Sequence, residues 1–193
     1  MTKLKLFIFL TFALILTTKQ YSYSQLYLKL GANYLKPLNK MADIDKPAIG
    51  FNLGIQNCTY CKFWYGLKFS SFNLKKTDNL SLAETYYTKA LYFTPNVRYN
   101  FLSRNCRSYN NRLIPYVEGG LIFSSMEKTD NESKFGFGGE LGLGVSYGFS
   151  LFKTCWNLDL NAQYQAPNAI LSAISRQSVQ TLDFSLSLGV MLW

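Results

Sequence analysis

The sequence predicts an all-β fold, an eight-stranded antiparallel transmembrane β-barrel. Large apolar residues alternate with small or polar ones along most of the 193-residue chain, and the connections between these stretches alternate between short and long. A period of two residues places successive side chains on opposite faces of a strand. An even number of such strands, with short turns at one end and longer loops at the other, is typical of barrels that cross a membrane with strands.

The alternation defines eight strands, most of them as long as the roughly nine to eleven residues that a tilted strand needs to cross the hydrocarbon core. They are predicted at residues 25–36, 48–57, 62–74, 86–102, 112–125, 134–148, 153–165 and 179–193. The connections near 58–61 and 149–152 are tight, and the one near 103–111 is intermediate. The longer connections lie near 37–47, 75–85, 126–133 and 166–178. The third strand loses its alternation between Phe69 and Phe72, which predicts a bulge or an early exit into its loop.

The first 24 residues have the features of a secretory signal peptide. Lys3 and Lys5 precede an apolar run at 6–16, and a small-residue segment follows. The run is too short to span a bilayer, which disfavours the alternative of an uncleaved membrane anchor. We therefore expect residues 1–24 to be removed and residues 25–193 to form the β-barrel domain. Export then places the short turns in the periplasm, at what we call the inner end, and the long loops at the outer end.

The two faces of the predicted strands differ in size and polarity. One face of the second strand consists of the bulky apolar residues Ile49, Phe51, Leu53 and Ile55. The other face carries the small or polar residues Gly50, Asn52, Gly54 and Gln56. The narrow interior of an eight-stranded barrel holds small and polar side chains, so we predict that the bulky face contacts lipid. A soluble periplasmic lipocalin-like carrier with the faces reversed is the alternative, but its bore would have to hold Phe and Tyr in every layer.

Seven charged residues lie on the inward side of the predicted strands. They are Lys29, Lys68, Arg98, Glu118, Glu140, Asp159 and Asp183. Each is several residues from its nearest turn, so we expect one belt near mid-height, with Glu118 diagonal to Arg98 and almost opposite Glu140, and Asp159 diagonal to Glu140. A buried charge is costly unless it is paired, so an ion-pair network that fills the barrel is favoured. A proton- or ion-conducting path is the alternative. A plugged barrel should give no steady current, whereas Arg98→Ala should create one.

The sequence contains no histidine. Histidine is the usual general base near neutral pH, and a serine nucleophile without such a base has no evident activator. We therefore expect no catalytic residues, no cofactor and no metal site with histidine ligands. The sequence argues against an enzyme.

Four cysteines, Cys58, Cys61, Cys106 and Cys155, fall at the predicted inner end. Disulfides persist in an oxidising compartment, and four cysteines allow three connectivities. We favour the pairs Cys58–Cys61 and Cys106–Cys155. A redox pair at 58–61 and a four-thiolate zinc site are the alternatives.

Several features together resemble the small outer-membrane β-barrels of the OmpA/OmpX-type and PorT-like families. They are the signal peptide, the eight alternating strands, the Pro-Tyr-Val-Glu-Gly-Gly-Leu run at 115–121, the glycine-rich strand at 136–144 and the aromatic end at Trp193. The resemblance covers the whole mature chain. It implies location in the outer membrane of a Gram-negative cell and insertion by the barrel assembly machinery.

The formal charge of +9 falls when the signal peptide is removed, and the remaining basic residues cluster in turns. Nucleic acid is therefore not an expected partner. Basic residues near the outer rim are placed to contact outer-membrane lipid, including lipopolysaccharide phosphates: Lys36, Lys40, Lys75, Lys76, Lys128 and Lys134. We expect a monomer with a structural or adhesive role in the cell envelope. A narrow pore and a PorT-like component of protein secretion or transport are the alternatives.

Overall fold

The predicted strands close into a barrel in the computed structural model of the protein. The structure describes residues 25–39, 42, 45–60, 62–76, 87–102, 112–128, 133–152, 154–168 and 179–192. Within these ranges, none of the helices has the length and apolar character needed to cross a membrane.

Eight antiparallel strands form the barrel wall, and two very short strands lie in the connections at the outer end. The wall consists of Gln25–Leu38 (β1), Ala48–Tyr60 (β3), Phe63–Asn73 (β4), Tyr87–Asn100 (β6), Leu113–Lys128 (β7), Ser133–Leu151 (β8), Thr154–Ala166 (β9) and Gln180–Met191 (β10). The short strands are Asp45–Lys46 (β2) and Lys75–Lys76 (β5), which pair with each other. Each wall strand pairs with its neighbour along the chain, and β1 closes the barrel against β10. The predicted fold class is therefore confirmed.

The two faces of the wall separate as the alternation predicts. On β3, Ile49 is 74% exposed and Leu53 46% exposed, whereas Asn52 is 3% exposed and Gln56 4% exposed. The same large apolar surface continues across neighbouring strands, because Leu30 of β1 lies opposite both Leu53 and Leu188. An apolar outer surface of this kind suits hydrocarbon, while the polar inner side chains are shielded by the wall.

The predicted irregularity in the third strand is wrong. The pairing of β4 with β6 continues without a break from Phe63 to Asn73. Phe72 instead points into the barrel, where it is fully buried and its ring lies 5.5 Å from that of Tyr92, centroid to centroid. An apolar residue takes an inward position there because the outer end of the barrel interior is apolar.

This apolar region, which we call the outer cluster, packs inside the barrel at the end that carries the long loops. Its buried members are Leu35, Ala48, Phe72, Leu74, Ala90, Tyr92, Ile122, Met126 and Val179. Each is at most 5% exposed. These side chains bury apolar surface against one another at this level. The described interior at the outer end of the barrel is therefore hydrophobic.

Candidate functional site

The lumen is the candidate functional site, because it contains all seven of the charged residues predicted to point inward. Lys29, Arg98, Glu118, Glu140, Asp159 and Asp183 are at most 8% exposed, and the side chain of Lys68 is 14% exposed. They do not form one belt, however. Two separate ion-pair groups lie at different heights, and a carboxylate held by amides lies between them.

The group nearer the inner end is built on Asp159 of β9. Its Oδ2 atom forms ion pairs with the Lys29 ammonium and, at 3.0 Å, with Nη1 of Arg98. The Asn157 side-chain amide donates a further hydrogen bond to the same oxygen at 3.0 Å. One carboxylate therefore joins cations from β1 and β6 across the barrel.

Arg98 also packs against aromatic rings. Its Cζ atom lies 3.5 Å from the ring centroid of Tyr116 and 5.0 Å from that of Trp64, distances at which a guanidinium is attracted to a π face. Trp64 in turn stacks on Tyr27, with 4.9 Å between the centroids. The Arg98 Nε–H donates to Oδ1 of Asn100 at 2.9 Å. We call Arg98, Tyr116, Trp64 and Tyr27 the inner plug.

The second ion-pair group lies closer to the outer end. The Lys68 ammonium contacts Oε1 of Glu140 at 2.6 Å and donates to Oε1 of Gln163 at 2.7 Å. The amide of Gln165 donates to the other Glu140 oxygen at 3.1 Å. Asp183 accepts from the Asn33 amide at 2.6 Å. The carboxylates of Glu140 and Asp183 thus both accept hydrogen bonds from side chains on other strands.

Glu118 lies between the two groups and is held by amides. The side chains of Gln56, Asn96 and Gln163 donate to its carboxylate at 3.2, 3.1 and 3.0 Å. These amides were missed when only charged residues were considered. Their signal was present, because Gln56 and Gln163 occupy the polar side of their strands at the height of the charges.

The lateral neighbours of the charges differ from the prediction. Glu118 lies directly opposite Arg98 rather than diagonal to it, and opposite Gly142 rather than almost opposite Glu140. Asp159 lies opposite Ser146, far from the Glu140 level. The physical reason is the position of the turns, since the β8–β9 turn lies beyond Leu151 and every pair along that hairpin shifts with it.

The space left between these side chains is small. A cavity of about 30 Å³ lies among Lys29, Asn52, Lys68, Glu118 and Asp159. Such a volume holds about two water molecules. Among the described residues, no group of three or more acidic or cysteine side chains is arranged to hold a metal ion.

The cysteines can be placed only in part. Cys58 is buried against Tyr27 and Trp64, and Cys155 is half-buried near the start of β9. Cys61 and Cys106 lie outside the described residues, and each favoured pair contains one of them. The two disulfides therefore stay predictions.

The basic outer rim can also be placed only in part. Lys36, Lys75 and Lys134 are exposed. Lys40 lies outside the described residues, as do the side chains of Lys76 and Lys128.

Comparison with protein families matches residues 6–191 to the outer membrane protein beta-barrel domain. The chain belongs to this family. A member of the family with this closed wall and apolar outer surface resides in the outer membrane of the cell. The search of curated proteins found no match.

Solved outer-membrane barrels share the fold of this family member. Neisserial surface protein A is 13% identical with a TM-score of 0.57, and the match covers 86% of this chain and 96% of that one. OprG of Pseudomonas aeruginosa is 11% identical with a TM-score of 0.57, covering 89% and 97%. The N-terminal β-barrel domain of OprF from the same organism is 11% identical with a TM-score of 0.53, covering 90% and 100%. Identities this low support a common fold and nothing finer.

Proposed function

We propose that the protein is a closed, non-conducting outer-membrane barrel with a structural or adhesive role in the cell envelope, which it performs through its outer loops. The observation that carries the proposal is the filled lumen. The cavity that lies among the charges measures only about 30 Å³. A wall built around such an interior serves to hold loops in place rather than to pass solutes.

Three layers close the barrel from end to end. The inner plug stacks Arg98 between Tyr116 and Trp64, and the outer cluster packs Phe72 against Tyr92. Between them, ion pairs and amides fill the middle. A passing ion would have to lose its water and separate charges that are already paired, and both steps are costly in a narrow interior.

The interior also supports the proposal that the protein is not an enzyme. Glu118 and Glu140 are the carboxylates that most resemble an acid/base couple, but each accepts hydrogen bonds from amides. The neighbouring cavity holds about two water molecules, so no sugar or peptide could reach them.

The outer rim suggests the partners of the barrel. Exposed Lys36, Lys75 and Lys134 are placed to meet lipopolysaccharide phosphates, in addition to the lipid around the wall. The barrel assembly machinery would insert the chain, as it does for related barrels. We propose that the inserted protein is a monomer.

Electrical recording tests whether the lumen is closed. Purified, folded protein in planar bilayers is expected to give no steady current at neutral pH, because all three layers block the path. Arg98→Ala alone is also expected to give none, since the outer cluster stays intact; this revises the expectation drawn from the charges alone. A steady ionic current through the unaltered protein would overturn the proposal in favour of a narrow pore.

Loop replacement separates the structural role from the adhesive one. Cells lacking the protein are expected to lose surface attachment, envelope resistance to detergent, or both. A variant in which residues 77–86 and 169–178 are replaced by short Gly-Ser segments keeps the wall strands. Restoration of detergent resistance without attachment would assign adhesion to the loops. If the null strain matches its parent in both assays, the proposed role is wrong.

A further inference from the structure

The two short strands in the outer connections form a small cover, which we call the lid. β2 and β5 pair antiparallel, with Asp45 opposite Lys76 and Lys46 opposite Lys75. The neighbouring residues Ala48 and Leu74 are buried in the outer cluster, at 4% and 5% exposure. The lid is therefore attached to the apolar surface that closes the barrel mouth.

Asp45 is an unusual residue in such a cover. It is only 2% exposed, and neither of its carboxylate oxygens accepts a hydrogen bond within 3.5 Å among the described residues, so the backbone N–H of Tyr87 acts on it only weakly. An ionised carboxylate in this position has lost its water without full compensation, which is costly. A protonated carboxyl group would be tolerated far better.

Among the described side chains around Asp45, none forms an ion pair with it, and the side chain of Lys76 opposite Asp45 lies outside the described residues. Tyr87 and Tyr92 on β6 interact with it electrostatically, and neither is a cation. Lys134 on β8 acts on Tyr87. Lys75 on β5 is exposed and lies opposite Lys46 of β2, and no ion pair joins Asp45 to a described lysine or arginine side chain.

We propose that the lid is a proton-controlled cover of the outer mouth, closed when Asp45 takes up a proton and loosened when Asp45 releases it. The proposal goes beyond the closed lumen, because the inner plug and the ion pairs lie below the lid. Loosening of the lid changes access to the outer cluster from the cell surface. It does not by itself open a path through the barrel.

The direction of the pH effect follows from the environment of the carboxyl group. Burial raises the pKa of Asp45 from 3.8 to about 7, and the backbone N–H of Tyr87 opposes this only in part. In the open lid the pKa returns towards its ordinary value. The closed lid is then most stable below the ordinary pKa, becomes weaker as the pH rises to about 7, and changes little above that pH. Between about pH 5 and pH 7.5 the ratio of closed to open lid should fall by a factor of roughly 70.

Hydrogen exchange of the full-length barrel in lipid nanodiscs tests the proposal. The readout is the protection of the backbone amides of β2 and β5, corrected at each pH for the intrinsic exchange rate. In the unaltered protein, protection is expected to fall roughly 70-fold from about pH 5 to pH 7.5. In Asp45→Asn the side chain is always neutral, so protection should stay high at both pH values.

A matched control and a second variant complete the experiment. Glu127→Gln removes a half-buried carboxylate elsewhere on the outer part of the wall and should keep the full pH dependence. Asp45→Ser also lacks an ionisable group and replaces Asp45→Asn if that variant fails to fold, as judged by heat-modifiable gel migration. Equal protection of the unaltered lid at both pH values would overturn the proposal. A fall in protection with rising pH that persists in Asp45→Asn or Asp45→Ser would also overturn it. If the protection of the lid depends on pH as expected but the protein carries a steady current in planar bilayers, only the proposal of a closed lumen is refuted.

Discussion

Replacement of Arg98 by alanine is expected to lower the free energy of unfolding by roughly 3–5 kcal/mol. The substitution removes one of the two cations paired with Asp159 and leaves that carboxylate buried with incomplete compensation. It also removes the group that lies between Tyr116 and Trp64 in the inner plug. Loss of a counter-charge and loss of packing act in the same direction.

The effect can be measured by urea titration in lipid bilayers, with the folded fraction read from heat-modifiable gel migration. Arg112→Ala is the matched control, because Arg112 is exposed just before β7 and should cost less than about 1 kcal/mol. Arg98→Lys should fall between the two, since lysine keeps the charge but not the planar guanidinium that stacks on rings. If Arg98→Ala and Arg112→Ala unfold at the same urea concentration, the inner plug does not stabilise the barrel.

The faces of the strands were predictable because the underlying signal is local. On β3, the exposed Ile49 and Leu53 and the buried Asn52 and Gln56 lie where the alternation places them. Each strand has its own period of two, so no knowledge of its neighbours is needed. The fold class follows from these faces together with the connection lengths.

The register was harder to predict because it depends on where each turn falls. The β8–β9 turn contains Phe152, which has a positive φ of 52°. Aromatic residues are uncommon in that conformation, and glycine or asparagine is the usual marker. Without such a marker the turn was predicted too early in the sequence. Asp159 was therefore predicted beside Glu140, whereas it lies opposite Ser146.

The outer cluster and the lid depend on contacts between distant parts of the chain. Phe72 shares the lumen-facing side of β4 with the polar residues Lys68 and Ser70, so its inward direction could be recognised only once Tyr92 was known to lie beside it. Aspartate is usually exposed, yet Asp45 is buried at the place where β2 pairs with β5. Pairs of two-residue strands leave no periodic signal.

Contact of the bulky face with lipid is the central claim, and a tryptophan introduced at Leu53 can report it. Leu53 lies near the middle of β3, opposite Leu30, and is 46% exposed on the outer surface. Trp64 provides an internal reference, because it faces the lumen and is fully buried. The chain has three tryptophans, and replacement of Trp156 and Trp193 by phenylalanine leaves only Trp64.

The most direct measurement is fluorescence quenching of this protein in bilayers of lipids brominated near the middle of the acyl chain. Leu53→Trp should add an emission that these lipids quench strongly, while the emission of Trp64 in the background variant should be almost unchanged. Heavy-atom quenching requires close contact, so the pair of indoles reports which side of the wall meets hydrocarbon. Strong quenching of Trp64 with none at the introduced indole, or a folded protein that stays in water without binding the bilayer, would contradict the account.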